Sequence, residues 1–151
     1  MLDKMILKYY DDIFCYCYHQ LGNREAAEDI CQDTFVSFIE HETEYHAYGK
    51  LKNYLYTIAR NKCIDYFRKA TPIYVDEIPD KGQESFENEI EMRHLVATLP
   101  EEYRQVIILR FFQDLKYKDI AEILGTNASN VKYKVKKALK MMESEVERSE
   151  K

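Results

Sequence analysis

The sequence predicts an all-α protein: two small helical domains joined by a flexible acidic linker, the C-terminal one built on a helix-turn-helix. Three observations carry this. Apolar residues recur at three-to-four spacing along most of the chain, the mark of one-faced helices. Only four glycines and three prolines occur in 151 residues, too few for the closely spaced turns of an all-β fold. Between residues 71 and 84 the periodicity lapses and two of the three prolines appear. The expected domains are therefore 1–70 and 85–151, with 71–84 as the linker.

Leu2, Ile6, Tyr9, Ile13, Tyr16 or Cys17, and Gln20 or Leu21 form the stripe of a first helix over 2–21. Gly22 stops it, and Asn23 caps the next helix through its side-chain oxygen. That helix, REAAEDICQDTFVSFIEHE, is expected to bury Ala27, Ile30, Cys31, Thr34, Phe35, Phe38 and Ile39. Its acids Glu25, Glu28, Asp29 and Asp33 gather toward the N-terminal half, where the helix dipole favours negative charge. After a polar and aromatic loop, a third helix from about Lys50 to Ala70 turns Leu51, Leu55, Ile58, Ala59, Ile64 and Phe67 inward.

Residues 71–93 carry seven acids against Lys81 and Arg93, a balance of −5. Like charges along a chain repel, so the first part of this segment is expected to be extended. Four helices then follow: about 85–98; one opened by Pro100 through EEYRQVIILRFFQ; about 116–124, ended by Gly125; and one from the capping Asn127 to about Val146.

Within DIAEILGTNASNVKYKVKKALK, Ile120, Ala121 and Leu124 face inward, and Val131, Val135 and Leu139 extend the core at spacing four. Gly125 makes the turn, because a positive φ is cheap only for glycine. The opposite face carries Asn130, Lys132, Tyr133, Lys134, Lys136, Lys137 and Lys140. From Leu115 to Met142 the balance is +5, although the whole chain is −5. A cationic outer face on a helix seated against its predecessor suits a DNA major groove.

Three stretches together resemble the bacterial extracytoplasmic-function (ECF) sigma factors: AAEDICQDTFVSF, KLKNYLYTIARNKCIDYFRK and LPEEYRQVIILRFFQDLKYKDIAEILGTNASNVKYKVKKAL. The likeness runs from about Tyr9 to Leu139, in the family's order. It implies that Asp29, Gln32, Asp33 and Phe35 dock on the β′ clamp helices of core RNA polymerase, with the β subunit a further contact. A plainer role for Asp29 and Asp33 is to complement the helix dipole. The third helix, with the loop before it, would open the promoter −10 element through Tyr48, Lys52, Tyr54, Arg60, Asn61, Lys62 and Arg68. Aromatic faces stack unpaired bases and cations track phosphates, and Tyr45 and Lys50 add to both. Tyr54, where the family carries tryptophan, serves equally as a core aromatic, and Asp65 is read as pairing with a nearby Arg or Lys. The last helix would read the −35 element through Asn130, Lys132, Tyr133, Lys136 and Lys137.

The sequence departs from the family at three places. Lys116 stands where a hydroxyl usually caps the first helix of the motif, so that bond is missing or comes from Asp114. Ser129 replaces a glycine, and lysines replace arginines, which weakens bidentate guanine readout. An anti-sigma factor is the usual regulator in the family.

The four cysteines form no CxxC pair and are expected to be buried thiols; Cys15 and His19, one turn apart, make too few ligands for a metal. No cofactor and no enzymatic chemistry are expected, because no nucleophile–base pair or phosphate-cradling glycine loop is present and the four histidines are scattered. No apolar run reaches the ~18–20 residues needed to span a bilayer, and MLDKMILKYYDD lacks a cleavage site, so the expectation is a cytoplasmic protein. The rival reading is a stand-alone helix-turn-helix regulator, which would bind a palindromic site tightly without polymerase.

Overall fold

The computed structural model describes residues 2–41, 50–69 and 86–150, helices joined by short turns and loops, with no strand among them. The chain divides into two compact units, Met1–Asp76 and Glu77–Lys151. The expected linker and the loop holding Tyr45 and Tyr48 lie outside the described residues.

The first unit is a three-helix assembly: α1 (Leu2–Leu21), α2 (Arg24–Glu40) and α3 (Leu51–Lys69), each packed on the other two. Gly22 closes α1 at φ 67°. The Asn23 side chain caps α2 by accepting the Ala26 N–H at 3.0 Å. The core takes Ile13, Tyr16, Cys17 and Gln20 from α1; Ala26, Ala27, Cys31, Thr34, Phe35 and Phe38 from α2; and Asn53 to Tyr56, Ala59 and Cys63 from α3. Aromatic rings lock the helices together. Tyr16 meets Tyr56 edge-on at 5.4 Å, Phe38 meets Tyr54 edge-on at 6.0 Å, and Tyr10 stacks on Phe35 at 5.7 Å.

Two residues expected in this core are exposed, Ile39 (43%) and Phe67 (49%). A helix turns about 100° per residue, so Ile39, one step of four beyond Phe35, drifts about 40° off the buried face, whereas Phe67 keeps the azimuth of buried Tyr56 but lies in the last turn of α3. Cys15 is exposed for a similar reason, lying off the arc of Ile13, Tyr16, Cys17 and Gln20, while Cys17, Cys31 and Cys63 are buried as expected. The Cys17 thiol is hydrogen-bonded to Cys63, which together with burial raises its pKa. Burial, reinforced by neighbouring Cys17, pushes Cys31 up to about 12. Both thiols therefore remain protonated and pack as small hydrophobes.

The second unit comprises α4 (Phe86–Ala97), α5 (Glu101–Ile107), a π-helical turn (Ile108–Phe112), α6 (Tyr117–Leu124) and α7 (Ala128–Glu150). The helix expected through Gln113 thus widens halfway. The Gln113 N–H reaches back five residues to Ile108 O at 3.0 Å, and the Leu115 N–H reaches Leu109 O at 3.1 Å. Val106, Ile107, Ile108 and Leu109 are consecutively buried, because this segment is surrounded: α5 packs on both α4 and α7. Arg110 braces the following loop, donating to Leu115 O at 2.9 Å and lying 4.3 Å over the Tyr117 ring. Asp114 takes the left-handed conformation there, at φ 55°.

The α6–turn–α7 unit is the helix-turn-helix. Lys116 precedes α6 without any side-chain cap bond, so the bond is missing and Asp114 does not replace it. Gly125 ends α6 at φ 71°, ψ 37°. Asn127 starts α7, its Oδ1 accepting the Asn130 N–H at 2.8 Å. Asn127→Ala is therefore expected to cost about 1 kcal/mol of folding stability, read as a lower urea midpoint at unchanged slope. The inner face of α7 is Val131, Val135, Ala138 and Met142, while Leu139 is 43% exposed. A stripe at strict spacing four drifts by about 40° per step, and alternating four–three–four steps keep the buried face instead.

Candidate nucleic-acid interface

Three surfaces gather the candidate residues. On α2, Asp29, Gln32 and Asp33 are exposed on one face, at three-to-four spacing. Phe35 is not part of that surface. It is 5% exposed and stacked on Tyr10, supporting the face from beneath. The face continues into two apolar residues that sequence reasoning missed, Val36 (50% exposed) and Ile39. The signal was available for Val36, which sits seven residues after Asp29 and off the core stripe.

On α3 the expected −10 residues separate. Asn61 and Arg68, seven apart, share the outward face, where Arg68 pairs with Asp65 at 3.9 Å. That contact gives Asp65 the structural partner its position called for. Arg60 is half-buried on one flank, with its Nε lacking a hydrogen-bond acceptor among the described residues. Exposed Phe67 shares that flank, seven residues on, and supplies an aromatic surface that periodicity places inside. Lys62 lies on the other flank, against α2, with its ammonium 4.0 Å from Asp33 Oδ2. Lys52 is half-buried and Lys50 exposed. Tyr54 packs in the core, 9% exposed and edge-on to Phe38; Tyr48 lies outside the described residues.

On α7, Lys132, Tyr133, Lys136 and Lys140 project outward, Tyr133 being 59% exposed. The other cations are partly engaged within the unit. Lys134 pairs with Glu102 at 3.8 Å, and the Lys137 ammonium lies 5.5 Å over the Tyr103 ring. The hydrogen bond to Tyr103 holds Lys137 above the ordinary lysine pKa, so it stays fully charged. Asn130 is half-buried, its Nδ2 donating to Thr126 Oγ1 at 2.9 Å, which fixes the amide at the turn. The outward face thus combines positive point charges with one aromatic ring, suited to phosphates and base edges.

Among the described residues no group of three or more His, Cys, Asp or Glu is placed to hold a metal, and no helix is long and apolar enough to cross a membrane.

Residues 5–72 match the family model for sigma-70 region 2, and residues 89–142 match that for sigma-70 region 4. RNA polymerase sigma factor SigV of Bacillus subtilis (strain 168) is 31% identical over 147 residues, spanning 94% of this chain and 89% of the relative. ECF RNA polymerase sigma factor SigW of the same organism is 30% identical over 147 residues, spanning 84% and 79%. Among solved structures, the sigma factor RpoE in complex with the anti-sigma factor NepR from Bartonella quintana superposes with a TM-score of 0.82 at 20% identity, covering 96% of each chain. CnrH in complex with the cytosolic domain of CnrY superposes at 0.78 with 15% identity, covering 97% of this chain and 88% of that one; both likenesses concern the fold. With regions 2 and 4 matched in order and near-complete alignment to sigma factors at 30–31% identity, this chain belongs to the ECF group of RNA polymerase sigma factors.

Proposed function

We propose that this sigma factor divides promoter-directed transcription initiation between two helical domains, 1–70 and 85–151, connected by residues 71–84. Initiation through RNA polymerase follows from family membership. The polymerase carries out nucleotide addition, and the sigma chain supplies binding and positioning. The α2 face of Asp29, Gln32 and Asp33, with Val36 and Ile39 at its end, docks on the β′ clamp helices. Exposed carboxylates meet basic groups there while the two aliphatic side chains are covered. The α3 surface of Asn61, Arg68 and Arg60, with Phe67 beside it, holds the opened −10 strand. The outward face of α7 reads the −35 element, and the β subunit is a further contact. The observation that carries this reading is the seating of α7: Val131 and Val135 are buried, at 0% and 2% exposure, while Lys132, Tyr133 and Lys136 point outward.

An anti-sigma factor is a further partner on this reading, supported by the solved structure of RpoE held in complex with the anti-sigma factor NepR. The site of action is the cytoplasm, where polymerase and promoter meet.

The test is run-off transcription with core polymerase and a promoter library. Promoter-specific initiation is the expected result. A folded protein that gives none, or that binds a palindromic site tightly without polymerase, overturns the reading. Asp33→Ala is expected to weaken polymerase binding about tenfold, equivalent to ~1.4 kcal/mol, with thermal unfolding unchanged. A fluorescence titration with core enzyme measures it.

A further inference from the structure

A groove of ≈ 470 Å³ separates the outer edges of α2 and α3, lined by Ile30, Asp33, Lys62, Asp65, Tyr66 and Lys69. The Lys62–Asp33 ion pair joins the two helices at 4.0 Å, whereas Arg24–Glu28 and Arg68–Asp65 each lie within one helix. The partners are unequally exposed, Asp33 at 68% and Lys62 at 26%. The lysine stem is therefore sheltered along the groove while the carboxylate faces solvent, ready for another cation. One carboxylate can accept from two donors. A second positive group arriving at Asp33, however, meets the Lys62 ammonium at a distance where like charges repel.

We propose that the Asp33–Lys62 pair is an autoinhibitory contact of the free chain, which docking of a cationic polymerase side chain on Asp33 opens. The proposal rests on the docking role of Asp33 given above and on the −10 role that the family resemblance implies for Lys62. Lys62, on the α3 helix, is then released to the −10 strand. Because coupling between two binding events is reciprocal, DNA held by Lys62 tightens polymerase docking by the same factor. An ion pair of this exposure sets that factor at about two- to fivefold.

The experiment uses the full chain, core polymerase and a −10 single-stranded oligonucleotide, at low and high salt. Lys62→Met is expected to bind core polymerase about two- to fivefold more tightly than the unaltered chain at low salt, and Lys62→Arg to leave it unchanged. Asp33→Asn is expected to weaken polymerase binding; if it does not, the docking role itself fails. In the Asp33→Asn background the gain from Lys62→Met should vanish. A gain that persists there is general charge repulsion and overturns the pair, as does no gain in the single variant. The oligonucleotide arm reads the reciprocal effect. Asp33→Asn should bind it about two- to fivefold more tightly, and that gain should be lost in the double variant; an oligonucleotide affinity that ignores Lys62 overturns the proposal equally.

Discussion

Replacement of Lys132 and Lys136 by alanine is expected to cut promoter-directed transcription by roughly ten- to a hundredfold, with thermal unfolding unchanged. Both side chains are exposed on α7 and take no part in seating it, so stability has no reason to move. Their ammonium groups act as point charges toward phosphates. A phosphate that no lysine neutralises keeps its counterion, so the slope of log affinity against log salt should fall by about two. The slope is the discriminating measurement: reduced transcription with an unchanged slope would mean that these lysines do not meet DNA phosphates. Lys134→Ala serves as the internal comparison. Its ammonium is already paired with Glu102 at 3.8 Å and its side chain is only 27% exposed, so its removal should matter much less.

Tyr16→Ala is expected to remove about 3–5 kcal/mol of folding stability, a large share of the roughly 5–15 kcal/mol available to a domain. Tyr16 is fully buried, and its ring packs edge-on against Tyr56, itself 1% exposed, so truncation leaves a void between α1 and α3. Polymerase binding should fail with it, because α3 loses the support that sets its place beside α2. Tyr16→Phe keeps the ring and is expected to lose only about 1 kcal/mol. Urea denaturation followed by circular dichroism distinguishes the two. Equal losses would mean that the hydroxyl, not the ring packing, holds the helices.

Local rules made much of this molecule readable from its sequence. Asn23 and Asn127 cap helices because a short side-chain oxygen reaches the N–H three residues on, and both bonds are present. Gly125 ends α6 because only glycine takes the left-handed conformation without cost. The basic character of α7 against an acidic chain was likewise legible, since charge is counted from residues alone.

The sequence by itself determined the all-α class and the start and end of most helices, because each depends on residues within a few positions of one another, and it determined the family through the order of three motifs along the chain. The tertiary structure alone decided which equivalent-looking residues face water. Ile39, Phe67 and Leu139 lie outside the cores to which periodicity assigns them, and Cys15, expected as a buried thiol, is exposed, because burial depends on where a second helix crosses. It likewise separated cations that look alike in sequence. Lys62, Lys134 and Lys137 are engaged by Asp33, Glu102 and Tyr103 from other helices, while Lys132 and Lys136 point outward. The physical reason is that a charge's partner is fixed by distance in space, and helix packing brings together groups that the chain keeps far apart.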